Sequence, residues 1–185
     1  GYFDYFGSAA GPRGQGWYSF ELGSWHVVAL NSNCGEVGGC GEGSAQLRWL
    51  RADLAAHRTK CVMAFWHNAR WSHAQHGDDA EVGPFMQALY DARADVVMVG
   101  HDHDYERFEP RSPDGARDDA RGIRQFVIGM GGRSLYTLGS DAGVEASSDK
   151  TFGVLSMTLR PNGYDWQFVP AAGGTYGDDG SASCH

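Results

Sequence analysis

No stretch of this 185-residue chain approaches the ~20 consecutive apolar residues that a bilayer-spanning helix needs, and the first residues show no charged-then-apolar leader. A membrane role is not expected. Basic clustering is missing as well: Lys and Arg number 15 against 23 Asp and Glu, for a formal net charge of −8. Phosphate backbones select clustered cations, so nucleic acid is disfavoured as a partner, although a bound metal would still attract a single phosphate. There is no internal repeat and no interdomain linker, and residues 1–185 read as a single domain with enough apolar content for a substantial core. An initiator methionine is also absent, so Gly1 is not expected to be the natural start.

The cysteines lack the CxxC spacing of a zinc ribbon or a redox motif; they fall at 34, 40, 61 and 184. Cys34 and Cys40 enclose the glycine-rich GEVGG, which suits a short-loop disulfide and an oxidising compartment. Three pairings of the four cysteines remain open, and buried free thiols in a cytosolic protein are the competing reading.

What is present is an alternation of apolar strands and amphipathic helices. GWYSFELG (16–23) and SWHVVALNS (24–32) read as consecutive strands. Ser44 is an N-cap candidate for a helix over 44–57, with Leu47, Leu50 and Leu54 at helical spacing. KCVMAFW (60–66) predicts a strand ending at His67, followed by an irregular polar loop, NARWSHAQHGDD (68–79). A helix from about Pro84 and the strand DVVMV then lead into GHDH. This order predicts a βαβαβ unit with a largely parallel sheet, whose ligands bind beyond the carboxyl ends of its strands. Later segments, IRQFVIGMGG, TFGVLSMTLR and YDWQFVPAAGG, read as strands, the last two joined as a hairpin by Pro161-Asn162-Gly163.

His67 and His101 therefore both stand at strand ends, 34 positions apart, and His103 follows one residue on. A His-x-His pair in extended chain turns both rings to one side, and neutral imidazole binds zinc, iron and manganese. Three convergent imidazoles suffice for one zinc with an open position. Each histidine alone is more often a hydrogen-bonded structural residue. The convergence of strand ends is what raises the metal reading above that.

GHDHDYER resembles the GHxH signature of calcineurin-like metallophosphoesterases. With NSNC, QLRWLRADL and AFWH it is similar to the purple acid phosphatases, especially secreted bacterial members, from about Tyr2 to the terminal Cys-His. The resemblance implies an α/β fold, a partial four-layer α-β-β-α sandwich of mixed sheets flanked by helices. It implies a secreted phosphatase that hydrolyses phosphate monoesters with hydroxide held by two divalent or mixed-valence metal ions, Fe, Zn or Mn. His67 and His101 would bind one ion and His103 the other, and the 68–79 loop would border the phosphate, with His76 nearest and His73 competing. The family's other ligands, an Asp near the first strand, the bridging Asp of a GD motif and an Asn-His pair, have no counterpart here, and Asn68 replaces a common proline. The chain thus looks like the C-terminal portion of such a domain. Its general acid and its partner would be the complementary N-terminal half, with a phosphate ester as substrate, and turnover by the chain alone is expected to be weak or absent. The alternatives are a mononuclear zinc hydrolase on the three histidines and a non-catalytic remnant or binding module.

Smaller expectations follow. Asp102, Asp104, Glu106 and Arg107 either orient imidazole N–H groups or are solvated loop charges. Tyr105 packs with its hydroxyl satisfied, His26 is structural, Asn31 anchors a loop, and GMGG is a turn, since it lacks the Lys and Ser/Thr of a phosphate loop.

Overall fold

The Ser44 hydroxyl accepts the Leu47 N–H at 3.2 Å and caps α2 (Ala45–Ala56), whose Leu47, Leu50 and Leu54 are buried. The structure, a computed structural model, describes residues 1–139 and 142–185. Helix α2 connects β2 (Trp25–Ala29) to β3 (Cys61–Phe65), and α3 (Gly83–Asp91), with Pro84 in its first turn, connects β3 to β4 (Val96–Val99). The three strands pair in parallel, with Val27 beside Met63 and Met63 beside Val96. The βαβαβ expectation holds.

Strand β1 (Tyr18–Leu22) pairs antiparallel with β2 and forms one edge of the large sheet. Beyond β4 the chain makes β5 (Tyr105–Phe108), β6 (Arg124–Ile128) and β7 (Val144–Ser148), in the order β1-β2-β3-β4-β6-β5-β7. Only β6 continues the parallel pairing; β5 runs antiparallel between β6 and β7. A second, antiparallel sheet holds β8 (Gly153–Arg160), β9 (Gly163–Pro170) and β10 (Asp179–Ser183), with the expected hairpin between β8 and β9. The short α1 (Tyr2–Phe6) and strands β5, β7 and β10 are additions to the sequence reading.

Side-chain alternation along the strands decides the layers. Val28, Val62, Ala64 and Val97 face α2 and α3, whereas Trp25, Val27, Met63, Val96 and Phe126 face Tyr164, Trp166 and Phe168 of the small sheet. Val154 and Val169 on the small sheet's outer face are exposed, so the described residues form three layers of the sandwich, helix on sheet on sheet.

Between the sheets Asp178 gathers four hydrogen bonds, from the Tyr105 hydroxyl (2.6 Å), Arg107 Nε (2.8 Å) and Nη2 (3.0 Å), and Trp166 Nε1 (3.2 Å). Tyr105 is thus packed with its hydroxyl satisfied. Two disulfides form, Cys34–Cys40 as the spacing suggests, and Cys61–Cys184 across 123 residues. No free thiol remains.

Two outcomes follow from these ties. In the chain-entropy picture the long loop is worth about 5 kcal/mol and the short one about 2. Urea unfolding should show a larger loss for the Cys61→Ala/Cys184→Ala pair than for Cys34→Ala/Cys40→Ala, and equal losses would refute the assignment. Burial works to raise the Asp178 carboxyl, but the bonds from Arg107 and Tyr105 outweigh it and hold it below the usual carboxylate range. A depressed folded-state pKa gives stability that is present above about pH 4 and lost as pH falls through it. Asp178→Asn should cost about 3 kcal/mol near pH 6, and the gap to wild type should narrow at pH 3.

Candidate metal centre

The parallel pairing of β3 and β4 continues past their ends: Trp66 N–H donates to the Met98 carbonyl (3.2 Å) and Gly100 N–H to that of His67 (2.9 Å). His67 and His101 are thereby side by side, with His67 Nε2 3.0 Å from His101 Nδ1. The hydroxyl of Ser32, just past β2, secures the approach by accepting the N–H groups of Asn68 (3.0 Å) and His67 (3.3 Å).

Residues 101–104 are not extended, so strand alternation does not aim the two histidines of GHDH. Asp102 N–H donates to the Gly100 carbonyl at 2.9 Å, and His101 takes a left-handed φ of +70°, a conformation costing about 1 kcal/mol or more. The turn is pressed onto Gly129, where a Cβ would lie 1.8 Å from the Asp102 carbonyl oxygen; only glycine fits. His101 therefore meets His67 and stacks on His76 (ring centroids 4.0 Å apart). His103 goes elsewhere, stacking on Tyr136 (4.1 Å) with Nδ1 2.8 Å from the Ser134 carbonyl. His73 turns from the cluster to Phe108 (5.3 Å), and its N–H donates to Glu106 Oε1 (3.0 Å).

Asp102, Asp104 and Glu106 are buried, which corrects the reading of solvated loop charges. The Ser72 hydroxyl donates to Asp102 Oδ2 at 2.5 Å and lies 3.1 Å from Glu106 Oε1, while His76 N–H donates to Asp102 Oδ1 at 2.9 Å. These carboxylates fasten the 68–79 loop beneath the histidines. Burial pushes Glu106 up to about 7, against the hydrogen bonds from His73 and Ser72. Burial first, then the charges of Glu106, Asp102 and Asp149, push Asp104 up to about 8, and neither of its carboxyl oxygens has a hydrogen-bond partner among the described residues.

The donor set fits metal. Burial first, then neighbouring histidines, lowers the pKa of His67 and of His101, so both are neutral, the ligating form, at neutral pH. Two imidazole nitrogens 3.0 Å apart can share one proton or one cation. For His103, an Nδ1–H donated to Ser134 leaves Nε2 to ligate. Among the described residues, however, His67, His101 and His103 do not bring one ligand atom each within 4.8 Å of one another. The arrangement is two plus one, whereas a single zinc on all three would need convergence.

No protein-family model matches the chain. An uncharacterized protein of Mycobacterium tuberculosis (strain ATCC 25618 / H37Rv) is 32% identical over 166 residues, covering 74% of this chain and 31% of that protein. Purple acid phosphatase 18 of Arabidopsis thaliana is 31% identical over 132 residues, covering 66% and 28%. The purple acid phosphatase PPD1 from yellow lupin (Lupinus luteus) seeds superposes with a TM-score of 0.81 at 18% identity, over 94% of this chain and 34% of that one, a likeness of fold. The chain is thus similar in sequence to purple acid phosphatases and in fold to one of them. This purple acid phosphatase-like chain spans only about three tenths of the curated relatives it matches, 31% and 28% of these two.

The sequence alone assigns no role to Ser72, Ser32 or Tyr136, and Gly129 only a place in the GMGG turn. Ser72 lies in the irregular loop between two histidine motifs, a signal of sorts, but Tyr136 has none, since only the fold brings it to His103. Ser72→Ala in the purple acid phosphatase-like chain would take from the buried Asp102 Oδ2 its hydroxyl donor. It should cost about 1–3 kcal/mol in urea unfolding and broaden the His76 and His101 ring signals in NMR; unchanged stability and spectra would refute the fastening role.

Proposed function

We propose that this chain supplies the histidine side of a secreted, metal-dependent phosphatase acting on phosphate monoesters. The approach of His67 Nε2 to His101 Nδ1 at 3.0 Å, at the ends of adjacent parallel strands, is the observation that carries this reading. The relatives named as purple acid phosphatases support it. His67 and His101 hold one ion and His103 the other. Two divalent or mixed-valence ions, Fe, Zn or Mn, would there supply an activated water and neutralise phosphate charge. His76, stacked on His101, is the ring placed to donate an N–H to a phosphate oxygen, while His73 remains engaged with Glu106. Two disulfides suit an oxidising, extracellular compartment.

The remaining ligands and the general acid belong, on this reading, to a complementary N-terminal segment. Without a bridging carboxylate, neighbouring cations repel one another with little to offset it.

Elemental analysis and hydrolysis of an aryl phosphate test this, with wild type, His67→Ala and His103→Ala each assayed alone and with the complementary segment supplied. Turnover is expected only with the segment, and each substitution should bring turnover to background and lower the metal content below that of the wild type. Full turnover in His67→Ala would sink the proposal.

A further inference from the structure

A second group of histidines lies at the opposite end of the sheet. His26, on β2, is in register with Val62, five residues before His67 on β3, or about 16 Å along the strand. It is fully buried, and both ring nitrogens face carboxylates: Nδ1 is 2.7 Å from Glu21 Oε1 and Nε2 is 2.7 Å from Asp53 Oδ2. A neutral imidazole carries one N–H. With that proton directed at Glu21, the Nε2 lone pair confronts the Asp53 carboxylate, and a positive centre must sit between them, either a second proton or a metal ion.

Three further features favour the metal. His57, one helical turn after Asp53 at the end of α2, lays its ring on that of His26, with centroids 4.6 Å apart and planes 12° from parallel. Its Nδ1 donates to the Asp53 backbone carbonyl at 2.9 Å and lies 3.4 Å from Asp53 Oδ1, which leaves Nε2 as its lone-pair nitrogen, and His26, Asp53 and His57 each place one ligand atom within 4.8 Å of the others. The orienting partners of a metal site are also built: Glu21 fixes the His26 tautomer, and the Ser19 hydroxyl donates to Asp53 Oδ1 at 2.8 Å. Finally, the His57 side chain is 44% exposed and lines a surface groove of about 450 Å³, the side from which an ion would enter. Four basic residues, Arg51, Arg58, Lys60 and Arg93, also line the groove; of these Arg51 bonds Glu42 and Lys60 donates to Asn162.

We infer that His26, Asp53 and His57 form a second metal site, for a zinc-like divalent transition ion, which clamps the β1–β2 edge hairpin to the end of α2. Two imidazoles and a carboxylate are a zinc donor set, with His57 swinging about its side-chain torsions to complete it. This site is independent of the phosphatase reading. The other grouping of potential ligands, Cys61, Asp95 and Cys184, has its sulfurs tied in a disulfide.

The test uses the full chain, stripped with chelator and titrated with zinc at pH 7.5, and a triple variant, His67→Ala/His101→Ala/His103→Ala, that removes the candidate phosphatase ligands. The triple variant should retain one zinc equivalent and a zinc-dependent rise in Tm. Adding His57→Ala, at an exposed position where circular dichroism should show the stripped fold intact, should weaken zinc roughly tenfold or more and abolish the rise. Cobalt should give a tetrahedral visible spectrum in the triple variant and not in the quadruple one. Zinc content unaffected by His57→Ala, or no zinc in the triple variant, would overturn the site and leave His26 as a doubly protonated ring between two acids.

Discussion

The histidine cluster depends on two buried carboxylates. Asp102 and Glu106 take the Ser72 hydroxyl and the N–H groups of His73 and His76, and so join the loop after β3 to the turn after β4. Removing a carboxylate from water is expensive, and the hydrogen bonds gathered on these two make the burial tolerable. What results is a loop that places His76 flat against His101 without any secondary structure of its own. Gly129 has the complementary part, since the turn carrying Asp102 rests on it at a distance that no side chain would permit.

Around that junction the fold separates tasks. Parallel strands β3 and β4 deliver His67 and His101 to one edge because the apolar runs before them are buried on both faces. The antiparallel strands β5 and β7 add no ligand; they carry Tyr105 and Arg107 to Asp178 and Glu145 to Arg107, which hold the small sheet against the large one.

Local signals made the βαβαβ unit legible: apolar runs of strand length, leucines at helical spacing and a serine cap for α2. They failed where stability is borrowed from elsewhere. Asp179–Ser183 has no large apolar residue and is a strand only because β9 offers it a hydrogen-bonding edge. YERF alternates too briefly to announce itself, and its Glu106 reads as solvated until the 68–79 loop covers it. The histidine pair of GHDH was legible as chemistry, and its geometry was not, because the left-handed His101 is imposed by a glycine 28 positions later (129 − 101). Likewise His26 reads as an ordinary core residue in an apolar strand, and only the arrival of Asp53 and His57 from α2 gives both its nitrogens a partner or neighbour.

The bond between Cys61 and Cys184 closes a covalent ring that contains His67, His73, His76, His101 and His103 and every strand from β3 to β10. A protease that cuts the charged loop over residues 110–122 would open this ring without freeing either product. The two pieces would stay threaded through each other's sheets, with β6 still paired to β4 across the nick. Only reduction following cleavage would let them part, so damage at the surface and loss of the histidine edge are separate events.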